Sequence, residues 1–287
     1  MLNANAIGRR YPEQRWEVTA EATRAFARSF NEDNPHFVDD ARPDGLVAPP
    51  MFAIVAAAPS EILPLADETL TGPSGDFFRR MVRGDNDITW TDTIRPGDTL
   101  TSSAVVSGIE EKPNGELLRV DVTLRRDGRE VARVGCGYFV RSETPGKKEG
   151  AQVGTSPQPR GPVVAAIDMS VTKDQPLRYA EASGDRNPIH TDDVVARMFG
   201  HPGIILQGSC TMSFISKAVL DTFCGGDPKR LKRLRVRYAR PVLPEDSLTT
   251  IAWKLDESTL GAQFGLEMKK QDGTVVIKNA FADIVRQ

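Results

Sequence analysis

The feature that most constrains the fold of this chain is a succession of sequence signals that occurs twice within its 287 residues. Val18-Thr19 opens an amphipathic helical run that ends before Asn34-Pro35, and Val171-Thr172 opens a second run that ends before Asn187-Pro188. Both pairs of markers are 153 residues apart (171 − 18 and 187 − 34). Later markers keep the same order at offsets of 158, 148 and 145 residues, in Gly45 and Gly203, Asp98 and Asp246, and Gly128 and Gly273. This pattern predicts a tandem duplication with small loop insertions.

Each copy places helices before a series of strands. In the first copy an apolar helix candidate at 51–58 precedes four strand candidates, with Asn114-Gly115 and Asp127-Gly128 as hairpin turns. In the second copy a long apolar helix runs from Gly208 to about Phe223, and four strand candidates follow it. A proline- and glycine-rich segment separates the copies. We therefore predict a first unit at residues 1–141, a linker at 142–161 and a second unit at 162–287.

A long apolar helix beside a curved antiparallel sheet of four or five strands is a hot-dog-like unit. The predicted fold class is therefore α+β, a tandem (double) hot-dog in which each sheet wraps its own central helix. Unpaired sheet edges attract other strands, so we expect the exposed edges of the two sheets to pair with each other.

Composition and charge narrow the classes of partner. A formal net charge of −2 argues against nucleic acid or an anionic membrane, and the longest apolar run, at 51–59, is too short to span a bilayer. The N-terminal residues lack the apolar core of a signal peptide, and three scattered cysteines indicate reduced thiols in a cytoplasmic protein. Three histidines without paired cysteines predict no metal site, and no glycine-rich nucleotide motif is present.

The chemistry concentrates around Asp185 and His190, with Asn187-Pro188 between them. Gly184 and the proline exclude a helix here, but a compact turn would bring both side chains to one point. A carboxylate and an imidazole held together can take up one proton and release another. The alternative is structural: Asp185 caps the following segment and His190 is a core residue.

The residues around this pair resemble the signature of (R)-specific enoyl-CoA hydratases of the MaoC-like family. The matching positions are Tyr179, Ser183, Gly184, Asp185, Asn187, Pro188, Ile189, His190 and Ala196. The resemblance covers 165–285, whereas the first half resembles the family only through the repeat and the segment 46–52. It implies that Asp185 and His190 form the catalytic pair and that the backbone N–H of Gly208 holds the thioester oxygen.

Gly208 suits that role physically, because the first N–H groups of a helix are unpaired and its dipole favours negative charge there. In relatives the preceding residue is commonly His, whereas here it is Gln207. By the repeat, Phe37 falls opposite His190, and Pro50, which has no N–H, falls opposite Gly208. We therefore predict one active site per chain. We also expect the first half to have lost the structure of its central helix and so to widen the acyl tunnel.

Further residues are candidates for substrate binding. Arg233 and Arg235 belong to a basic cluster between Lys229 and Arg240 that suits the phosphates of coenzyme A or of phosphopantetheine on an acyl carrier protein; the alternative is a solvated strand. The other candidates are Asn187, Gln207 and Ser216.

The predicted activity is the reversible hydration of trans-2-enoyl thioesters to (3R)-3-hydroxyacyl thioesters, with Asp185 and His190 holding the water. The sequence leaves open which of the two activates it. The substrate would be an acyl-CoA or an acyl carrier protein thioester, with no separate cofactor, no nucleic acid and no membrane, and a homodimer is left open. Two alternatives are a hot-dog thioesterase and a non-catalytic acyl-thioester-binding subunit.

Overall fold

A computed structural model of the chain describes residues 1–142 and 160–286. The predicted linker at 142–161 lies almost entirely outside the described residues. No helix in the described part of the chain is both long and apolar enough to cross a membrane.

Five strands and five helices build the first unit. The strands are β1 (Gln14–Glu17), β2 (Met81–Trp90), β3 (Thr99–Lys112), β4 (Gly115–Arg126) and β5 (Arg129–Arg141). The helices are α1 (Ala20–Ser29), α2 (Pro35–Val38), α3 (Phe52–Leu65), α4 (Glu68–Thr71) and α5 (Ser74–Arg80), and a 3₁₀ turn precedes them at Ala4–Ala6.

The second unit repeats this plan with fewer helices. Its strands are β6 (Val163–Ser170), β7 (Leu231–Tyr238), β8 (Ser247–Glu257), β9 (Gly261–Lys270) and β10 (Val275–Val285). Its helices are α6 (Gln175–Ser183), α7 (Asp193–Met198) and α8 (Gly208–Phe223), with 3₁₀ turns at Pro188–His190 and Pro228–Arg230. The outermost strands, β1 and β6, are the two that the sequence patterns did not predict.

All ten strands form one antiparallel sheet in the order β1-β3-β4-β5-β2-β7-β10-β9-β8-β6. The two five-stranded halves join where β2 pairs with β7, so the prediction that the two sheet edges pair is confirmed. The register of this seam is symmetric: Asp85 lies opposite Arg237, Thr89 lies opposite Arg233, and Asp87 lies opposite Arg235 at the centre.

Equivalent backbone hydrogen bonds recur in the two halves. Three bonds in the first half each have a counterpart in the second. The bond from Val47 N to His36 O corresponds to that from Ile205 N to Ile189 O, and the bond from Ala48 N to Ile94 O corresponds to that from Leu206 N to Val242 O. The bond from Val18 N to Asp98 O corresponds to that from Val171 N to Asp246 O. The residues of these pairs are displaced by 153, 158 or 148 residues, the offsets that the sequence markers predicted. On the helical side the rings of Phe26 and Tyr179, another equivalent pair, touch with centroids 5.6 Å apart.

The central helices α3 and α8 are largely buried beneath the sheet. The expectation that the first half has lost the structure of its central helix was wrong, because α3 is continuous over 14 residues. Pro59 and Pro64 lie inside it, and each removes a helical hydrogen bond. The burial of Phe52, Val55 and their apolar neighbours offsets that cost, so no helix-sized gap opens beneath the first half of the sheet.

Candidate active site

A turn between α6 and α7 brings Asp185 and His190 together. Helix α6 ends where Gly184 adopts the left-handed conformation at φ +77°, a role that glycine fills without strain. Asn187 then caps the 3₁₀ turn, its Oδ1 accepting the N–H of Ile189 at 3.3 Å. The result is a distance of 3.9 Å between Nε2 of His190 and Oδ2 of Asp185.

The surroundings of His190 fix which of its ring nitrogens carries the proton. The residue is only 7% exposed, and its Nδ1 lies 2.8 Å from the carbonyl oxygen of Ile205. Because a carbonyl can only accept, Nδ1 is the protonated nitrogen and the neutral ring presents an unprotonated Nε2 to Asp185. Burial is the main cause that lowers the pKa of His190, and the positive charges of His201 and Arg83 lower it further. The Asp185 carboxylate and the hydrogen bond to the Ile205 carbonyl act in the opposite direction and raise it. The ring is therefore held as a base.

Asp185 lies at the open side of the pair, with 43% of its side chain exposed. Its Oδ1 accepts the N–H of Asn187 at 3.4 Å, so its other oxygen faces His190. Two atoms 3.9 Å apart are too far apart for a direct hydrogen bond. Both can nevertheless reach one water placed to the side of the line between them, at about 2.8 Å from each.

Gly208 is the first residue of α8, and its N–H has no acceptor within residues 1–142 and 160–286. The ring of Tyr238 lies directly against it, since a methyl group added at Gly208 would be 3.1 Å from Cε1 of that ring. A helix of 16 residues directs the positive end of its dipole to this point. The N–H can therefore donate to an oxygen that gains negative charge.

Gln207 connects the start of α8 to the turn that carries Asp185. It is fully buried, and its Nε2 donates to the carbonyl oxygens of Pro176 at 2.9 Å and of Asp185 at 3.4 Å. The amide thus holds two elements that bear the candidate site. This structural role explains why glutamine, whose side chain cannot exchange protons, occupies position 207.

Of the remaining predicted residues, Asn187 lies in the turn itself and the other three lie away from the pair. Asn187 uses its side chain on the turn, and Ser216 is buried in α8 about 12 Å along the helix from Gly208. Arg233 is bound at 2.8 and 2.6 Å to the carboxylate of Asp87, and Arg235 is exposed. Both arginines lie on the face of β7 opposite Tyr238, because side chains alternate along a strand. The structure therefore does not bring them to the Asp185–His190 pair.

Two residues near the pair were missed by the sequence patterns. Tyr238 covers Gly208, and its hydroxyl donates to Oδ1 of Asn86 at 2.9 Å. Arg83 comes from the first half, and its charge acts on both Asp185 and His190. Simple alternation of side chains along β2 predicts Arg83 on the same face as Asp85 and Asp87, away from the pair. Only Gly84, which follows Arg83, could have indicated the bulge that turns Arg83 to the other face.

No metal centre is evident in the part of the chain that the structure describes, where no three His, Cys, Asp or Glu side chains converge. All three cysteines are buried thiols.

The sequence matches two protein families, one in each half. Residues 155–277 match the MaoC like domain, and residues 5–134 match the FAS1-like dehydratase domain region. A probable enoyl-CoA hydratase 2 of Dictyostelium discoideum is 26% identical over 213 residues, which cover 71% of this chain and 70% of that protein. The peroxisomal multifunctional enzyme type 2 of Mus musculus is 30% identical over 217 residues, which cover 72% of this chain but 28% of the mouse protein.

Solved structures agree on the fold. The MaoC-like dehydratase of Phytophthora capsici superposes with a TM-score of 0.80 at 22% identity, over 100% of this chain and 98% of that one. A Mycobacterium tuberculosis protein described as a double hot-dog superposes with a TM-score of 0.60 at 13% identity, over 97% and 96% of the two chains. At these identities the likeness establishes the double hot-dog fold alone. The two sequence matches show that residues 155–277 belong to the MaoC-like dehydratase domain family and residues 5–134 to the FAS1-like dehydratase domain region.

Proposed function

We propose that the chain catalyses the reversible hydration of a trans-2-enoyl thioester to the (3R)-3-hydroxyacyl thioester. The observation that carries the proposal is the 3.9 Å approach of the unprotonated His190 Nε2 to Asp185 Oδ2. Gln207 ties this pair to a helix start with a free N–H. A base, a carboxylate and an oxyanion donor are the groups that addition of water to a conjugated thioester requires.

In the proposed mechanism the thioester oxygen accepts the Gly208 N–H, which stabilises the enolate that forms as water adds. The water lies between His190 and Asp185, and the carboxylate holds it by accepting one of its hydrogens. His190 Nε2 takes the other proton while the oxygen bonds to C3. The resulting imidazolium returns that proton to C2 on the same face, so the elements of water add in a syn sense. The reverse sequence eliminates water from the hydroxyacyl thioester.

The relatives support the same chemistry, since two of the matched proteins carry the name enoyl-CoA hydratase 2. Coenzyme A is accordingly the carrier that we propose, with no cofactor beyond the substrate thioester. A cytoplasmic location remains a prediction, and whether the chain forms a homodimer is left open by the sequence. Size-exclusion chromatography with light scattering would check the oligomeric state.

The test is the loss of enoyl absorbance when the purified chain is added to crotonyl-CoA and to longer trans-2-enoyl-CoAs, with chiral analysis of the product. We expect turnover and a (3R) product. Release of free thiol with no hydroxyacyl product would instead identify a thioesterase. Tight binding of every thioester with no turnover of any would identify a binding subunit.

A further inference from the structure

A cluster of polar side chains occupies the inner side of the sheet in the first half, beside the seam. Arg83 donates to Oε1 of Glu61 on α3 at 2.5 Å, and the hydroxyl of Tyr138 donates to the same oxygen. The Arg83 guanidinium also lies over the Tyr138 ring, 5.2 Å from its centroid. Asn86 and Cys136 complete the cluster, both buried. Burying polar groups costs free energy unless they are paired, so such a cluster calls for a reason.

The second half shows that the fold does not require this polarity. By strand pairing and the repeat offsets, the five positions correspond to buried apolar residues: Leu231, Val219, Ile284, Leu234 and Ala282. The same backbone thus accepts an entirely aliphatic set. The polar cluster of the first half is therefore not needed for folding, and its explanation lies in the surroundings of that half.

A β-bulge turns Arg83 inward. Arg83 lies opposite Tyr138 and Asp85 lies opposite Gly137, which leaves Gly84 as an extra residue in β2. Asp85 and Asp87 point to the outer face, where they pair with Arg119 and Arg233. Without the bulge Arg83 would share their face, since side chains alternate along a strand. Strand β7 has its bulge at the equivalent Lys232, where the inward residue is Leu231.

The pseudo-symmetry of the two halves defines what Arg83 lines. In the first half a cavity of about 160 Å³ lies beside Pro50 and Trp90, and Leu231 of the second half forms part of its wall. By the repeat, Gly208 is the residue equivalent to Pro50, Tyr238 is equivalent to Trp90, and Arg83 of the first half is equivalent to Leu231 of the second. Arg83 therefore occupies the corresponding wall position at the Gly208 site. Its side chain is 30% exposed, and Asn86 links it to Tyr238, which covers Gly208.

The guanidinium has hydrogen-bonding capacity to spare. Its contact to Asn86 Oδ1, at 3.4 Å, is long for a hydrogen bond, and Cys136 Sγ, at 3.5 Å, is a weak acceptor, so Glu61 is its one strong partner among the described residues. An alkyl chain placed against it would desolvate a charge without replacing the lost water. A carboxylate would bind it through two parallel N–H···O bonds.

We propose that Arg83 is a specificity-determining residue on the acyl side of the site and that it selects enoyl thioesters whose acyl group carries a second carboxylate. The inference rests on the proposed hydratase function and deepens it by naming the substrate class. The acyl group enters from the Gly208 side and extends toward the first half, where its terminal carboxylate meets the guanidinium.

The experiment compares trans-2-hexenoyl-CoA with trans-2-hexenedioyl-CoA, which differ only in the terminal group, on the full-length chain. We expect kcat/KM to favour the dioyl thioester by about 10–100-fold, the usual worth of a hydrogen-bonded charge pair. The double variant Arg83→Leu/Glu61→Val carries the residues of the second half, leaves no unpaired charge and should abolish or reverse the preference. Arg83→Lys should retain part of it, because a lysine keeps the charge but not the paired N–H groups.

Arg119→Leu is the matched control, since Arg119 lies on the outer face and pairs with Asp85. It should leave the preference unchanged, and circular dichroism and melting curves would establish that each variant is folded. A wild-type preference for hexenoyl-CoA that the double variant leaves intact would overturn the role of Arg83 while hydration stands. If the wild type hydrates none of the three substrates (the two six-carbon thioesters and crotonyl-CoA), the proposed function itself would be overturned.

Discussion

The two halves of the chain share a backbone and differ in what their side chains do. Asp185 and Glu32 are equivalent, and each accepts the N–H of the asparagine two residues later, at 3.4 and 3.0 Å. Glu32 is buried and bound by Lys217 of α8 at 3.1 Å, whereas Asp185 is half exposed and faces an imidazole. The same turn therefore anchors the two halves together in one case and presents a half-exposed carboxylate to a histidine in the other.

The difference extends to the start of each central helix. Pro50 has no N–H, and its carbonyl accepts a hydrogen bond from Nε1 of Trp90 at 2.9 Å. In the second half Gly208 keeps its N–H, and the ring of Tyr238 takes the place of Trp90. The comparison teaches that a duplicated backbone can be retained for packing alone. The candidate active half is distinguished from the first half by a few side chains and one N–H.

The largest expected effect separates the two Asn-Pro turns. His190→Ala should lower kcat by about 10²–10⁴, because in the proposed mechanism it removes the group that takes the proton from water. His36→Ala, in the equivalent turn of the first half, should leave kcat unchanged. Steady-state hydration of an enoyl-CoA by both variants measures this. A comparable loss in both would contradict the assignment of one active site per chain.

Gly208→Pro tests the role of the N–H at the start of α8, because it places there the proline found at the equivalent position 50 of the first half. Proline is tolerated at the first position of a helix, and Gln207, at φ −58° and ψ 137°, already has the backbone that precedes proline. The variant should fold yet lose about 10²–10³ in kcat, the usual effect of removing an oxyanion donor.

Gly208→Ala is its matched control, because it adds the same contact with Tyr238 but keeps the N–H. It should retain most of the activity that the proline variant loses. Equal losses in the two variants would mean that the methyl contact, and not the missing N–H, matters.

The two capping asparagines should both stabilise the fold but should differ in their effect on activity. Asn34→Ala and Asn187→Ala each remove a cap, which should lower the free energy of unfolding by about 0.5–2 kcal/mol in urea titrations. Asn34→Ala should be the more destabilising of the two, because the buried Asn34 also donates from Nδ2 to the carbonyl oxygen of Gly226 at 2.7 Å. Only Asn187→Ala should also reduce kcat, by about 10–100-fold, since it loosens the turn that positions Asp185 and His190. Loss of activity in Asn34→Ala, measured well below its melting temperature, would break the comparison.

The smallest effect concerns pH. Burial lowers the pKa of His190, so the reactive neutral form persists below the ordinary value of 6.5, and activity should be lost only as pH falls through a value lower than that. In Arg83→Leu a nearby positive charge is gone, so the acid limb of kcat/KM should move to higher pH. The pH profiles of wild type and variant measure the shift, and a limb that moves to lower pH would contradict the proximity of Arg83.

Much of the fold could be predicted because the repeat has local markers. Asn-Pro turns and glycines keep their order, and hairpin turns with Asn-Gly or Asp-Gly delimit strands. Strands β1 and β6 escaped prediction because they are half-exposed edges whose pairing depends on a distant partner.

The candidate site was predictable only where it is local in sequence. Asp185 and His190 are close in the chain, and Gly208 begins a recognisable helix. Arg83 reaches the site across the seam and through a bulge, neither of which periodicity reports. Arg233 and Arg235 were predicted from charge alone, which does not tell on which face of a strand a side chain lies. The tie that Gln207 makes to Pro176 and Asp185 likewise required the folded arrangement.

The seam between the halves has a consequence for how chains assemble. At its centre Asp87 lies opposite Arg235, and Arg233 binds Asp87. If β2 paired with the β2 of another chain in this register, Asp87 would lie opposite Asp87, and two β7 strands would place Arg235 opposite Arg235. Like charges directly opposite each other destabilise a strand pair. The charges at this seam therefore favour the pairing of a first half with a second half, and they disfavour the pairing of two first halves or of two second halves from different chains.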